Sequence, residues 1–532
     1  MRASTSYLML AIIVLVVVGG VNVEGHPHND GHSNMAPAHL QSLFTSVEGD
    51  VDNVTAPLLS GAIPSWLRFT KYNNGFGQYE GKGFALNYLF DVMAYIVKWR
   101  VDGDNGVTFS NKLIRSNYLA EASSKIPPYR TFGGTTPPLK GAAKLEALVH
   151  LTSDNLNVNV VKFGDRLFAI SDMAGAMELD PLTLDTVGMV KWNDTIGGSL
   201  AMITCAHPNR IPGDPYAYNY YAELFGNALK PHGLNEYKLY RVDGRKGDML
   251  TREVVMKIPL PLNSTTYMHS FAHTPNYIVF FKFPLRWDVL SIATHVDILP
   301  CMTWVGKGTH VIVIDKNTWT VVKEHWTAPF FAYHHINAFE TPEGDVACDI
   351  TTVPCAGADG LPASCKHMNA FELDTLRNNS WPIPANEVRR YVVPVASGGP
   401  VTSTRVTATS FDLPMLNDAY RGKPYRFAYG NGDHSAGVWW NSIVKVDMDT
   451  GATTEWYKED HFASEPNFIP RPASAGGTGA EDDGVLVSTV LAGPLNTSVL
   501  LVLDATTMEE IAVAKAPHFL PYMSHGFAEP DP

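Results

Sequence analysis

Four histidines are the residues of this 532-residue chain best suited to metal chemistry, because neutral imidazole is the commonest metal ligand among side chains. They are His207, His269, His334 and His525. His269 precedes a turn at 274–276 and an apolar run at 277–280, so a buried strand would carry an imidazole at its approach. The gaps between the four are too wide to identify a metal site by spacing, and a histidine beside a strand is often a core residue.

The surroundings of these histidines resemble the carotenoid cleavage oxygenase family. That family includes beta-carotene oxygenases, apocarotenoid-forming dioxygenases and the retinoid isomerohydrolase of the visual cycle. The resemblance is carried by CAHP at 205–208, FFAYHHINAFE at 330–340 and HGF at 525–527, with IPSWL at 63–67, FD at 90–91 and EP at 465–466. It covers most of the chain and implies that the four histidines hold Fe(2+). At the doublet, the family pattern His-X-X-Asn selects His334 over His335 because Asn337 follows it at the required distance.

The same resemblance implies three acidic partners that orient the ligating histidines. The matching residues are Asp172, Asp412 and Glu465. A carboxylate in this position fixes the tautomer of a ligating imidazole and raises its basicity. The family has glutamate at all three positions, so the two aspartates are one methylene shorter, which predicts a slight backbone shift or a bridging water. The alternative is that these are ordinary acids at turns and strand ends.

The predicted centre and its surroundings indicate a reaction class. Four neutral imidazoles leave Fe(II) with its full positive charge and with room for O₂. Aromatic residues near the motifs suit a long apolar polyene, although each can equally be core packing: Phe271, Phe330, Phe331, Tyr333 and Phe339. We expect an iron(II)-dependent dioxygenase that cleaves a C=C bond of a carotenoid or apocarotenoid to carbonyl products, with no catalytic side chain beyond the metal centre. The alternatives are a stilbene-cleaving or retinoid-isomerising relative, or a non-catalytic secreted propeller that binds an apolar ligand.

The elements that must position these residues are short strands. Apolar or alternating runs recur between Gly, Pro, Asn and Asp, which is typical of a large antiparallel β-protein. An Asp-X-X-Thr segment recurs between apolar runs, and its Asp can cap a turn through its own side chain. The four copies begin at Asp180, Asp315, Asp447 and Asp504. Such repeated hairpins suit a propeller or a sandwich. The family resemblance implies a seven-bladed β-propeller with the metal on its axis and a helical and loop cap over one face.

The pattern of residues at the N-terminus predicts a targeting segment. A charged start, an apolar run at 7–18 and small residues up to 25 predict a signal peptide at 1–25, with an uncleaved signal anchor as the alternative. Residues 26–56 are predicted to be a disordered His-containing tail, and 57–532 the oxygenase domain. Secretion or residence in the secretory lumen follows. Five Asn-X-Ser/Thr sequons agree with a glycoprotein: Asn53, Asn193, Asn263, Asn378 and Asn496.

The composition of the chain limits the classes of molecule that it could bind. A net charge of −13 argues against binding to nucleic acid, whereas 45% hydrophobic residues can build a large core. Five cysteines do not make a disulfide framework, although the last three could include one bridge, and no Cys-X-X-Cys pair indicates structural zinc. The segment 281–299 is either an amphipathic face that contacts a membrane peripherally or a cap segment. The Gly- and Ala-rich stretch 355–365 reads as a surface insertion.

Overall fold

Most of the chain is described by the structure, which is a computed structural model. The described residues are 38–150, 153–194, 196, 202–224, 235–245, 251–261, 264–305, 308–354, 368, 370–379, 386–434 and 439–531. The predicted signal peptide, the sequon at Asn263 and the stretch 355–365 lie outside them.

Antiparallel strands dominate, and they form seven sheets of four or more strands within the described ranges. Sheet 1 contains Val51–Thr55, Arg68–Gln78, Met93–Asp102, Val107–Leu113 and Met523–Pro530. Sheet 2 contains Asn159–Phe163, Arg166–Ile170, Ala176–Leu179 and Thr186–Met189. Sheet 3 contains Met202–Thr204, Tyr216–Glu223, Asn235–Asp243 and Glu253–Leu260. Sheet 4 contains Ala272–His273, Tyr277–Lys282, Thr309–Asp315 and Thr320–Thr327.

The remaining three large sheets follow the same plan. Sheet 5 contains Phe330–Phe331, His335–Glu340, Val346–Pro354, Glu387–Val393 and Thr402–Thr407. Sheet 6 contains Asp412–Met415, Phe427–Gly432, Ser442–Asp447 and Thr453–Tyr457. Sheet 7 contains His461–Ala463, Asn467–Pro470, Gly484–Ala492, Thr497–Asp504, Glu510–Lys515 and Leu58–Gly61.

Apart from Leu58–Gly61, the strands of sheets 2 to 7 follow one another along the chain, and early strands of several sheets lie against strands of other sheets. Met523–Pro530 packs beside both Asn159–Phe163 and Asn467–Pro470, and Ala272–His273 packs beside His335–Glu340. Radial repetition of small sheets whose first strands meet is the architecture of a β-propeller. The predicted all-β propeller is therefore confirmed, and the count of seven blades stays a prediction.

The repeated Asp-X-X-Thr segments form the same turn in four sheets. The four turns join two successive antiparallel strands in sheets 2, 4, 6 and 7, one turn in each sheet. In every copy the Asp Oδ1 accepts hydrogen bonds from the backbone N–H groups two and three residues later, as for Asp315 with Asn317 and Thr318. The predicted turn-capping role of the Asp is confirmed.

The cap consists of the α-helices and two small sheets that lie outside the seven large sheets of the described chain. These α-helices are Asn117–Ala122, Gly141–Val149, Val289–Thr294 and Leu373–Asn378. The 3₁₀ helices of the described chain are Leu40–Phe44, Leu89–Asp91, Gly103–Asn105, Leu299–Cys301, Asp418–Tyr420, Ala473–Ala475 and Gly493–Leu495. The small sheets are Glu80–Gly81 with Phe84–Leu86 and Thr135–Thr136, and Leu285–Trp287 with Met302–Trp304. The largest core cluster joins cap residues such as Tyr88 and Phe371 to sheet residues such as Phe280, so cap and propeller share one apolar core.

The predicted tail at 26–56 is wrong for its described part. Leu40 and Phe44 are fully buried, and Val51–Thr55 pairs with Val107–Leu113 of sheet 1. The folded domain therefore includes residues before 57. The polar composition of the segment concealed the few apolar residues that anchor it.

The segment 281–299 packs mostly into the core. Phe283, Leu285 and Trp287 are buried, whereas Leu290 is 79% exposed. This burial favours the cap alternative, and membrane contact stays a prediction. Of the predicted cysteine bridge, only Cys348 is described, and it is a buried free thiol.

Candidate metal centre

The four predicted histidines converge from four different sheets, each at the earliest strand of its sheet or at the closing strand of the chain. His207 follows the first strand of sheet 3, and His269 precedes the first strand of sheet 4. His334 directly precedes the strand His335–Glu340 of sheet 5, and His525 lies in the last strand of sheet 1. Because these strands lie together, residues far apart in sequence reach one point.

The ring nitrogens of the four histidines form one compact cluster. Nε2 of His207 lies 2.9 Å from Nε2 of His269, and Nε2 of His334 lies 3.2 Å from Nε2 of His525. One nitrogen from each ring lies within 4.8 Å of all the others, so the group could hold a metal ion. A metal with bonds of about 2.1 Å to nitrogens at right angles separates those nitrogens by about 3.0 Å, which the two short distances match.

Three carboxylates accept hydrogen bonds from the opposite nitrogens of the rings. Asp172 Oδ2 lies 2.7 Å from Nδ1 of His269, Asp412 Oδ1 lies 2.6 Å from Nδ1 of His334, and Glu465 Oε1 lies 2.9 Å from Nδ1 of His525. Both shorter aspartates therefore reach their histidines directly, and the bridging water expected for them is not required.

The tautomers set by these carboxylates favour a cation at the centre. A carboxylate accepts only, so each of the three Nδ1 atoms carries the proton and each Nε2 presents a lone pair. His334 and His525 then face each other through two unprotonated nitrogens 3.2 Å apart, which no hydrogen bond can join. A metal ion between them would turn this repulsion into coordination.

Burial keeps the rings of His334 and His207 in the neutral form that binds metal. It lowers the pKa of His334 to about 4, against the opposing effect of Asp412. Burial, followed by the neighbouring imidazoles, holds the pKa of His207 well below its ordinary value. Burial acts to raise the pKa of Asp412, but the His334 ring and several hydrogen bonds outweigh it and hold that pKa below its ordinary value. These groups are neutral imidazole and ionised carboxylate at neutral pH.

Sequence reasoning missed the groups that hold Asp172. The Tyr267 hydroxyl donates to Asp172 Oδ2 at 2.7 Å, and the backbone N–H of Ala206 donates to Oδ1 at 2.9 Å. Burial and then Asp172 hold the pKa of Tyr267 well above its ordinary value, so its phenol keeps the donated proton. Its position two residues before His269 was the available signal, because alternate residues of an extended segment share a face.

Two further side chains contact Asp412 and Glu465, the first through its carboxylate and the second through its backbone. Asn386 Nδ2 donates to Asp412 Oδ2 at 2.7 Å, and the Lys71 ammonium donates to the backbone oxygen of Glu465 at 3.3 Å. Neither residue belongs to a motif that could have identified it. Lys71 also donates to the side chain of Asn467.

The doublet separates into two roles. His334 enters the cluster, as the resemblance implied, whereas Nδ1 of His335 lies 2.7 Å from the Ser270 hydroxyl. Asn337 of the same motif binds a loop, since its Nδ2 donates to the carbonyl of Tyr420 at 3.1 Å.

Cavities in the described part of the chain lie beside the centre. An open one of about 900 Å³ is lined by His207, His334 and His525 together with polar and apolar residues, which gives water and small ions access. The second, of about 50 Å³, includes Asp172 and Tyr267 and is bounded by aromatic cap residues.

The aromatic residues near the motifs differ in position. Tyr333 lies next to the centre, with its ring centroid 5.7 Å from that of His269, and it packs edge-on against Phe331. Phe330 stacks on Tyr391 and is core packing. The other two aromatic residues named above pack elsewhere, Phe271 against Phe280 and Phe339 against Tyr425.

The similarity of this chain to known proteins, in sequence and in fold, extends over nearly its whole length. The family model described as "Retinal pigment epithelial membrane protein" matches residues 44–527. A rice (Oryza sativa subsp. japonica) protein named "Carotenoid cleavage dioxygenase 8 homolog A, chloroplastic" is 31% identical over 94% of this chain and 89% of its own length. A Macaca fascicularis protein named "Carotenoid-cleaving dioxygenase, mitochondrial" is 29% identical over 91% of this chain and 93% of its own length. A mutant of the Synechocystis apocarotenoid oxygenase has a TM-score of 0.76 at 24% identity, covering 94% of this chain and all of the other.

The prediction of secretion is wrong. The two relatives reported above are named as a chloroplastic and a mitochondrial protein. Within the described part of the chain, no helix has the length and apolar character needed to cross a membrane.

Proposed function

Because the chain belongs to the carotenoid cleavage oxygenase family, we propose that it is an iron(II)-dependent dioxygenase that cleaves a C=C bond of a carotenoid or apocarotenoid. O₂ is the co-substrate, and one oxygen atom enters each of two carbonyl products, so the double bond and the O–O bond are both consumed. The relatives' names support carotenoid cleavage, and the chemistry of the four-histidine cluster supports the metal.

The facing lone pairs of His334 and His525 are the observation that carries the proposal. His207, His269, His334 and His525 would hold the ion, with Asp172, Asp412 and Glu465 fixing the tautomers of the last three. Iron bound there supplies a redox-active centre that can activate O₂ without haem.

The chain's own residues would bind the substrate and orient the ligands. Tyr333 and Phe331 pack beside the centre as buried aromatic side chains, and aromatic walls bind a polyene by burying its area. Tyr267 keeps its proton and holds the Asp172 carboxylate against His269. The open cavity beside His207 gives water a path that does not cross these aromatic walls.

Metal analysis of the purified protein tests the proposal. We expect close to one iron per chain after anaerobic Fe(II) loading, little in His269→Ala, and unchanged content in the control His335→Ala, which alters a neighbouring histidine outside the cluster. Iron-loaded parent should convert carotenoids to aldehydes under O₂. A parent that binds no iron, or binds it equally in His269→Ala, would refute the four-histidine centre.

A further inference from the structure

A small cavity of about 50 Å³ lies between sheets 2 and 3, and it shares Val161, Phe163 and Pro208 with the wall of the open cavity described above. Its walls are mainly apolar or aromatic side chains of the two sheets, among them Phe163, Phe168, Ile170, Ala176, Ala217 and Tyr221. The volume exceeds the roughly 10–15 Å³ that one water molecule occupies by the same measure. It is much too small for a carotenoid.

The polar groups in the walls are satisfied by the protein. Thr204 Oγ1 donates to the carbonyl of Tyr220 at 2.7 Å, and Asn219 Nδ2 donates to the carbonyl of Cys205 at 2.8 Å. The Tyr221 hydroxyl accepts from Arg252. No buried side-chain nitrogen or oxygen among the described lining residues lacks a partner. Because a buried water needs two to four polar partners, this cavity favours an apolar guest.

The cavity adjoins the metal centre through the segment that carries His207. Cys205 and Pro208, on either side of that histidine, both line the cavity. The Cys205 thiol donates to the carbonyl of His269 at 2.8 Å, so the same side chain contacts the backbone of a second proposed ligand. The segment that carries His207 therefore contributes both to the wall of the cavity and to the centre.

We propose that this cavity binds dioxygen and supplies it to the metal centre. O₂ is small, apolar and without hydrogen-bonding demand, which matches the volume and the satisfied walls. The assignment rests on the proposed oxygenase function, which requires O₂ beside an apolar substrate that would occupy a different space. Separate binding sites for the two substrates would let O₂ reach the centre while the polyene covers it.

Xenon, an inert apolar probe, tests the cavity independently of catalysis. We expect xenon-pressurised crystals of the iron-loaded parent to show xenon between sheets 2 and 3. Ala217→Val should fill the space and remove it, and Ala176→Val fills it from the facing sheet. Ala222→Val is the matched control, because Ala222 lies on the same strand, is likewise buried and does not line the cavity.

Kinetics then decide whether the cavity serves the reaction. We expect each filling variant to raise the KM for O₂ several-fold, with kcat at saturating O₂ and the KM for carotenoid unchanged, and the control to match the parent. An active parent without xenon in the cavity, or filling variants with an unchanged KM for O₂, would overturn the cavity proposal alone. An iron-loaded parent that binds xenon but oxidises no carotenoid would overturn the proposed function, and the dioxygen assignment with it.

Discussion

Asp172 is the residue through which several parts of the centre are joined. Its carboxylate accepts from His269, from Tyr267 and from the backbone beside His207. The aspartate is short for its family, yet these three donors hold it within 2.7 Å of the imidazole. A shorter side chain with more donors is therefore an adequate substitute for a longer one.

Replacing this carboxylate should weaken metal binding without unfolding the protein. We expect Asp172→Asn to lower metal affinity on the order of 10–100-fold, as is usual for partners of ligating histidines. The reason is that an amide carries no charge, and its NH2 group would face either the backbone N–H of Ala206 or the donors His269 and Tyr267. Titration with Co(II), followed by its visible absorption, measures the change. Asp185→Asn is the control, since that acid is exposed on a surface turn, and equal affinities in the two variants would contradict the role of Asp172.

Lys71 is a fully buried cation with a strongly shifted pKa. Burial lowers that pKa to about 7, against the opposing charge of Glu465. In the unfolded chain the group titrates near 10.4, so between these values the unfolded state binds more protons and stability rises with pH. The cost of the buried charge is greatest below pH 7 and disappears as the pH rises through this window.

This linkage gives a pH-dependent prediction. The free energy of unfolding of the parent, relative to that of Lys71→Met, should increase between pH 7 and 10 by about 1.4 kcal/mol per pH unit. Urea unfolding of both proteins at several pH values measures the difference, and the comparison cancels groups common to the two. A difference that does not vary with pH would show that Lys71 is not titrating in this window.

At the scale of elements, the strand that carries His525 is fixed by a close backbone contact. A Cβ on Gly526 would lie 2.0 Å from the carbonyl oxygen of Tyr72 on the paired strand. Because the clashing atom belongs to the backbone, a side-chain rotation cannot relieve the overlap. The backbone N–H of Gly526 also donates to Glu465 at 2.9 Å. The glycine of the His-Gly motif is thus required by strand packing.

Gly526→Ala should therefore displace the strand and its histidine together. We expect a loss of stability of about 1–3 kcal/mol, typical of overpacking, and weaker Co(II) binding because the His525 ring shifts. Gly398→Ala is the matched control, since its Cβ would meet nothing within 4 Å. Thermal unfolding and metal titration of both variants make the comparison. Normal metal affinity in a destabilised Gly526→Ala protein would show that the histidine is positioned by other contacts.

What the sequence could reveal depended on how local the interaction is. The turn at Asp315 was predictable because its side chain bonds to backbone two and three residues away. The role of Asn386 was not, since only the folded chain brings it to Asp412. The four histidines were assignable by resemblance and not by spacing, because their spacing is set by the lengths of intervening sheets.

At the scale of the whole molecule, the proposed centre draws residues from every large sheet. The histidines lie in or directly beside strands of sheets 1, 3, 4 and 5. The three carboxylates that accept from them lie in or directly beside strands of sheets 2, 6 and 7. Sheet 1 itself joins Arg68–Gln78 to Met523–Pro530, which closes the chain on itself. Neither this pairing nor the ordered residues before 57 could be read from local pattern, because both depend on partners that are distant in sequence.

A metal held at this junction should stabilise the whole domain. Ligand that binds only the folded state adds RT ln(1 + [L]/Kd), or about 2.7 kcal/mol at a free concentration 100 times Kd. Because the ligands come from four sheets, unfolding of any of these sheets releases the ion, so the gain applies to the cooperative transition. We expect the unfolding temperature of the parent to fall on chelation with EDTA and to recover with Fe(II) under anaerobic conditions. His269→Ala, treated identically, controls for other effects of the chelator and should change little. If the parent binds metal but its unfolding temperature changes with neither treatment, the metal is bound at a site that does not connect the sheets.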